Sequence, residues 1–99
     1  MNMQKLMQEA QKMQAQLQKD QKELEKTIYE GKASLVNIKI NGKYEITEVK
    51  LNVEDGISVD DIEMLEDMIM LAMNDAVNKV AADKEKKMGK YGHGLTGLI

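Results

Sequence analysis

Seven carboxylates between residues 54 and 67 are the side chains of this 99-residue chain best placed to do chemistry. Neighbouring carboxylates can exchange protons or bind a divalent cation, and Glu63 and Asp67 lie one helical turn apart. The stretch lacks, however, the Asp- and Asn-rich loop with a central glycine that a calcium site needs. Acidic side chains are also favoured at the positive end of a helix dipole. We therefore expect the solvated start of a helix here, and no metal site.

The single histidine, His93, is no better a candidate for catalysis, because it lies in a glycine-rich segment with no Asp, Glu or Ser beside it. The sequence has no cysteine, no GxSxG nucleophile motif, no phosphate-binding loop and no HExxH zinc motif. We predict that the chain is not an enzyme and uses no catalytic residue, cofactor or metal.

The basic side chains suggest a different chemistry. All 14 of them are lysines, which suit phosphate contacts better than the reading of guanine edges by the forked arginine side chain. The net charge of −3 argues weakly against a polyanionic partner, yet residues 54–78 hold eight carboxylates and no lysine while residues 79–99 hold five lysines. Four lysines near the start recur every seven residues and form one cationic row. The candidates for phosphate contact are Lys5, Lys12, Lys19 and Lys26, followed by Lys79, Lys84, Lys86, Lys87 and Lys90. The competing interpretation is an ordinary solvated lysine surface.

The elements that position these lysines begin with a long helix. Residues 2–27 carry apolar side chains at alternating spacings of three and four, which predicts an amphipathic helix with a coiled-coil-like seam. Such a helix is about 39 Å long, more than a small sheet can cover, so part of it should project or pair with another helix. The seam consists of Met3, Leu6, Ala10, Met13, Leu17 and Leu24, with a gap at Asp20.

Alternating apolar residues then predict strands. The stretch TIYEGKA reads as a short strand with Gly31 as a bend or bulge. Asn41 and Gly42 predict a two-residue type I′ hairpin that sets Ile40 opposite Lys43. One face of this hairpin would carry Val36, Ile38, Ile40, Val49, Leu51 and Val53, and the other, mixed face would include Leu35, Tyr44 and Ile46.

A second long helix is predicted from about Val59 to Met88, with Ser58 as its N-cap and Gly89 as its end. It has more apolar sides than one sheet can cover. The stripe expected to cover the sheet comprises Ile62, Leu65, Ile69, Ala72, Met73, Ala76, Val77 and Val80. The second stripe, Met64, Met68 and Leu71, could pack on the first helix or a symmetry mate, or form a Met-rich docking surface.

The order helix, strands, helix predicts an α+β fold in which a small three-stranded antiparallel sheet carries both long helices on one side. We expect one domain over residues 1–88 and a flexible, glycine-rich tail over residues 89–99. The first residues lack the continuous apolar run of a signal peptide or membrane span, so a soluble, cytoplasmic protein is expected.

The order of these motifs resembles that of the YbaB/EbfC family of bacterial nucleoid-associated proteins. The matching pieces are LMQEAQKMQAQLQKDQKELE, EGKASLVNIKINGKYEITEVKLN, EMLEDMIMLAMNDAVNKVAADKEKKMGK and GLTGL, which together cover nearly the whole chain. The hairpin VNIKINGKYEITEVKL and the helix LEDMIMLAMNDAVNK are the most specific of them.

The resemblance implies a tweezer-shaped homodimer that binds double-stranded DNA and contributes to nucleoid organisation and gene regulation. DNA contacts would come from the helical arms, and hence from the nine candidate lysines. The dimer would bury the second apolar stripe and part of the open sheet face, namely Met64, Met68, Leu71, Leu35, Tyr44 and Ile46. The alternative is a protein-interaction adaptor or chaperone-like dimer that uses its Met- and Leu-rich faces.

Overall fold

The computed structural model describes residues 2–91 and confirms the predicted α+β architecture. The helices are α1 (Met3–Lys26) and α2 (Ile62–Met88), and the strands are β1 (Ile28–Ala33), β2 (Val36–Asn41) and β3 (Ile46–Leu51). Short 3-10 helices cover Val59–Asp61 and Gly89–Tyr91. The strands form one antiparallel sheet in the order β1-β2-β3. None of the helices within residues 2–91 is both long and apolar enough to cross a membrane.

The core lies between α2 and the first two strands. Alternate residues of β2 point toward α2, whose small and β-branched residues allow a close approach. Gly31 in β1 makes this approach possible, because a Cβ there would lie 2.6 Å from the backbone nitrogen of Ala76. The predicted bulge at Gly31 is wrong, since the pairing of β1 with β2 continues through Gly31 and Ile38 without a shift. The fully buried cluster is Val36, Ile38, Ile40, Ala72, Ala76 and Val80.

The hairpin between β2 and β3 differs from the predicted two-residue turn. The residues Gly42, Lys43 and Tyr44 form the loop, and Tyr44 has a positive φ of 63°. The Asn41 side chain accepts hydrogen bonds from the amides of Lys43 and Glu45. Gly42 is needed for a different reason from the predicted one: a Cβ there would clash with the backbone of Leu24 in α1. The two-residue hairpin lies instead at Ser34 and Leu35, where Ser34 has a φ of 51°.

The register is shifted by three residues at Ile40 and, beyond an irregularity between Lys39 and Ile40, by four, so that Ile38 pairs with Val49 and Val36 with Leu51. A shift by an even number keeps the predicted side chains on one face. A bulge next to Ile40 then brings Ile46 onto that face as well, opposite Ile40. All six residues of β3 are nevertheless exposed, because α2 covers only β1 and β2.

The first helix attaches to the body only near its C-terminal end. Its residues are exposed up to Gln16, and Asp20 and Leu24 are its only buried positions. The seam predicted from Met3 to Met13 therefore has no partner within residues 2–91. As a result the molecule is elongated, 71 × 20 × 15 Å along its principal axes.

The end of α2 continues directly into the second 3-10 helix. Gly89 caps α2 as predicted, and Met88 is buried. Lys90 and Tyr91, the next residues of the predicted tail, bond to α1. Residues 92–99, including His93, lie outside the described residues, and the domain boundary at residue 88 stays a prediction.

Candidate nucleic-acid interface

The lysine row of α1 is fully displayed to solvent. Lys5, Lys12, Lys19 and Lys26 are all exposed, and none of them joins an ion pair within residues 2–91. At 1.5 Å per residue the row spans about 32 Å, close to the length of one turn of B-DNA, roughly 34 Å. Four cations at intervals of about 10 Å can follow a phosphate backbone.

Lys22 belongs beside this row, although the seven-residue spacing did not identify it. It lies with Ala15, Gln18, Lys19, Glu23 and Lys26 along a shallow depression on α1. Residues three and four apart are neighbours on a helix, so Lys22 lies next to both Lys19 and Lys26. A search for lysines at three- and four-residue spacings would have found it.

Three of the C-terminal lysine candidates are already paired. Lys79 bonds to the Asp75 carboxylate at 3.3 Å and donates to the Glu30 carbonyl oxygen at 2.7 Å. Lys87 lies 3.0 Å from the carboxylate of Asp83. Each pair lowers the charge that the C-terminal end of α2 presents to a phosphate.

Lys90 is the third paired lysine, and it binds Asp20 of α1 at 2.9 Å. The remaining candidates are Lys84, which is half-buried with its Nζ 6.0 Å from the centre of the Tyr44 ring, and the exposed Lys86. The structure thus separates the predicted cations into a free row on α1 and a largely neutralised group at the end of α2.

The carboxylates that pair with lysines also join the helices to the sheet. Asp75 accepts a hydrogen bond from the Lys32 amide, which with Lys79 lowers the Asp75 pKa. Asp83 accepts from the Tyr29 hydroxyl, and this bond, together with Lys87, lowers its pKa. The pKa of Tyr29 is raised to about 12, mainly by burial and next by the hydrogen bond to Asp83. Tyr29 therefore remains a neutral donor, which suits a structural role.

Asp20 forms the most enclosed polar cluster of the described chain. It accepts hydrogen bonds from Gln16 and from the Tyr91 hydroxyl, in addition to its ion pair with Lys90. The bond from Tyr91, followed by that from Lys90, lowers the pKa of Asp20 to about 2. The only sign of this site in the sequence is the gap that Asp20 leaves in the apolar seam.

The acidic stretch at residues 54–67 behaves as a solvated helix start. Its carboxylates are exposed, and Asp61 accepts hydrogen bonds from the Ser58 amide and hydroxyl just before α2. No group of acidic or histidine side chains that could hold a metal ion is found among residues 2–91.

Exposed apolar side chains lie on two opposite flanks of α2. Asp75 and Lys79 reach β1, so Met73 and Val77, about half a turn further round the helix, lie toward β3. Those two residues and the β3 side chains Val49 and Leu51 are 38–54% exposed. With Ile46 they line an apolar step, which we define as Ile46, Val49, Leu51, Met73 and Val77.

The dimer residues expected from the sequence are distributed differently. Met64 and Leu71 are exposed on the flank of α2 away from the apolar step, whereas Met68 packs against the core between α2 and the sheet. Met64 and Met68 also line a small cavity of about 120 Å³ with Leu35 and residues of the loop before α2. Tyr44 is exposed in the β2–β3 loop, and Ile46 lies on the apolar step.

A model of the YbaB/EbfC DNA-binding family matches residues 1–95. The chain is 39% identical over 100 residues to a nucleoid-associated protein of Ligilactobacillus salivarius, covering 99% of this chain and 95% of that one. It is 42% identical over 101 residues to a nucleoid-associated protein of Chloroflexus aurantiacus, covering all of both chains. A crystal structure of the uncharacterized protein HP0035 from Helicobacter pylori has the same fold, with a TM-score of 0.71, 20% identity and coverage of 93% of this chain and 99% of that one.

Proposed function

The chain belongs to the YbaB/EbfC DNA-binding family, and from this premise we propose that it is a nucleoid-associated protein of the bacterial cytoplasm that binds double-stranded DNA as a homodimer. Relatives that carry this description cover nearly the whole chain. The mechanism is electrostatic: lysines neutralise phosphates and release the counterions bound to them. It needs no enzymatic step and no cofactor.

The observation that carries the proposal is the free lysine row of α1. Lys5, Lys12, Lys19 and Lys26 have no intramolecular partner in the described part of the chain, so they lose no ion pair when they meet phosphates. Lys22, Lys84 and Lys86 extend this surface. Lys79, Lys87 and Lys90 contribute less in our proposal, because each must first leave a carboxylate.

The placement of negative charge supports contact through the arm. α1 meets the body at Gly42, at one end of β2, whereas Asp61 lies near Leu35 and Val53 at the other end of the strand. The acidic start of α2 is therefore remote from α1. Repulsion between this region and the duplex would direct DNA toward the arms.

The apolar step supports a homodimer. β3 is an edge strand with one row of unpaired backbone groups, and such edges are prone to pair or to be covered. A second copy that covered Val49, Leu51 and Met73 would bury apolar surface that one subunit leaves in water, a gain of about 25 cal/mol per Å². In our proposal this surface, with Ile46 and Tyr44 at its border, forms the dimer contact. Met64 and Leu71 of the opposite flank are the competing contact.

Salt dependence tests the proposal. The purified protein would be titrated with several unrelated duplexes at salt concentrations from about 0.05 to about 0.3 M. The slope of log affinity against log salt then counts the phosphate contacts, because each neutralised phosphate contributes about 0.9 to it. A double variant, Lys12→Ala with Lys19→Ala, should bind more weakly and lower the slope by about 2 for one arm and about 4 for two.

The matched control is Lys32→Ala with Lys39→Ala, which removes the same charge from lysines paired with Glu30 and Glu48 on the sheet. Its slope should stay at the wild-type value. Equal slopes for all three proteins would contradict phosphate contact by α1.

The exposed seam of α1 favours a second candidate function, an adaptor that docks another protein. The seam residues Met3, Leu6 and Met13 are exposed, as is Met7 beside them, and no element within residues 2–91 covers these four side chains. This function predicts a tight protein partner and no shift of duplex DNA at about 0.15 M salt, where screening acts over about 8 Å.

A further inference from the structure

The direction of α1 depends on very few contacts. Only Asp20 and Leu24 are buried among its 24 residues, and both lie in its last two turns. Leu24 packs close to Gly42, which fixes one point of the helix. A rod held at one point can swing, so a second point is needed to give the lysine row a defined direction.

Asp20 supplies that second point. One carboxylate oxygen accepts a hydrogen bond from Gln16 of the same helix at 2.9 Å. The other oxygen binds Lys90 at 2.9 Å and accepts from the Tyr91 hydroxyl, and both partners belong to the 3-10 helix that follows α2. The carboxylate is thus held from both sides, with its side chain only 12% exposed.

The carboxylate of Asp20 interrupts an apolar seam, and this interruption bears on how α1 is oriented. The three- and four-residue spacing of Met13, Leu17 and Leu24 calls for an apolar side chain at position 20. An apolar contact would tolerate several orientations of α1. A nearly buried carboxylate is costly unless its partners are in place, and polar groups at such positions can select one arrangement.

We propose that Asp20 is a positioning residue whose bonds to Lys90 and Tyr91 latch α1 to the end of α2 and set the direction of the DNA-binding arm. We call Asp20, Lys90 and Tyr91 the latch. The second half of this inference rests on the proposed function, since it concerns DNA, but the first half concerns only the geometry of the protein. In this role Lys90 holds α1 in position and does not bind a phosphate.

The geometric half is tested by distance measurements without DNA. The chain has no cysteine, so Gln8→Cys on α1 and Asn74→Cys on α2 give one pair of spin labels per subunit. Dilution with a tenfold excess of unlabelled protein suppresses distances between subunits. Pulsed electron resonance should give one narrow distance distribution with Asp20 present, and a broadened or shifted one in Asp20→Ala.

Two further variants show whether a change in the distance distribution comes from loss of the latch. Asp67→Ala removes an equivalent charge from an exposed position of α2 and should leave the distribution narrow. The double variant Lys90→Ala with Tyr91→Phe breaks the latch from its other side, so α1 keeps its sequence and should still move. Circular dichroism establishes that each variant is folded. An unchanged distribution in both latch variants would overturn the proposal.

The DNA half is tested by the sign of an affinity change. Asp20→Ala and Asp67→Ala each remove one negative charge, and Asp20 lies next to the lysine row, so charge alone predicts tighter binding for Asp20→Ala. Loss of a preorganised arm predicts the opposite, about three- to tenfold weaker binding than Asp67→Ala. Tighter or equal binding would show that Asp20 does not position the arm for DNA. If the wild-type protein bound no duplex, the proposed function would fail while the distance test still decided the latch.

Discussion

Gly31 shows how one residue can set the distance between two layers. Its backbone lies so close to α2 that a Cβ would sit 2.6 Å from the Ala76 nitrogen and 2.7 Å from the Ala76 Cβ. At separations below about 3 Å the atoms overlap, and because one obstacle is backbone, a small side-chain movement cannot relieve this overlap. The glycine is therefore required by packing, without any unusual φ.

We expect Gly31→Ala to destabilise the protein by about 3 kcal/mol, because α2 must move away from β1 and loosen the whole core. The measurement is urea unfolding followed by circular dichroism. Gly89→Ala is the matched control, since the nearest atom to its added Cβ is a side-chain oxygen at 3.4 Å and its φ is −61°. That variant should change stability by less than about 1 kcal/mol. Equal losses in both variants would contradict the packing argument.

Asp20 predicts a pH dependence of stability at acid pH. Its pKa falls from 3.8 to about 2 on folding, so the folded state holds the ionised form more strongly than the unfolded chain. The resulting stabilisation is complete above pH 3.8 and is lost as the pH falls to about 2. Thermal unfolding of the wild type and Asp20→Asn should therefore show a difference in midpoint at neutral pH that shrinks toward zero near pH 2. A difference that stayed constant down to pH 2 would exclude ionisation of Asp20 as its source.

The local sequence predicted both helices and all three strands, because apolar residues that recur at the period of a helix or strand mark such elements even where, as in β3, they stay exposed. It failed at the turns, where contacts distant in the sequence decide. Asn41 and Gly42 do mark a turn, but Gly42 is fixed by its contact with Leu24 of α1, and the positive φ lies at Tyr44. Spacing within the hairpin could not reveal that contact.

The residues of the candidate site also divide into those that the sequence could reveal and those that only the packing reveals. The seven-residue spacing identified the lysine row of α1, since helical periodicity alone decides which of its side chains share a face. The pairing of Lys90 with Asp20 joins residues 70 positions apart, and a prediction of it would have required the packing of the two helices. The latch was therefore visible in the sequence only as one missing apolar residue.

The free half of α1 should behave as a helix stabilised mainly by its own cap. The Asn2 side chain accepts hydrogen bonds from the amides of Gln4 at 3.0 Å and Lys5 at 3.4 Å. Asn2→Ala should cost about 1 kcal/mol locally and speed amide hydrogen exchange in the first turns of α1 about fivefold, with no change in the global unfolding midpoint. Asn74→Ala on α2 serves as the control and should leave exchange in α1 unaltered. A fall in the global midpoint for Asn2→Ala would mean that this half of α1 packs against something in the assembled protein.

The proposed homodimer has two candidate interfaces, one on each flank of α2. Val49→Asp places a charge in the apolar step, while Leu71→Asp places the same charge on the opposite flank at an equally exposed position. Burial of an unpaired charge in an interface is costly, so only the variant in the true interface should dissociate the dimer. We expect Val49→Asp to give folded monomers by light scattering and Leu71→Asp to remain dimeric. The reverse result would move the interface to Met64 and Leu71.

Dissociation should also change how DNA binding responds to salt. A dimer presents two lysine rows and a monomer one, and the slope of log affinity against log salt counts the phosphates neutralised. Val49→Asp should therefore bind a duplex with about half the wild-type slope, while Leu71→Asp, which carries the same extra charge, keeps the full slope. Weaker affinity with an unchanged slope would mean that one arm already makes all the phosphate contacts. In that case the second subunit would serve stability and not DNA binding, because the exposed β3 strand would still need its cover.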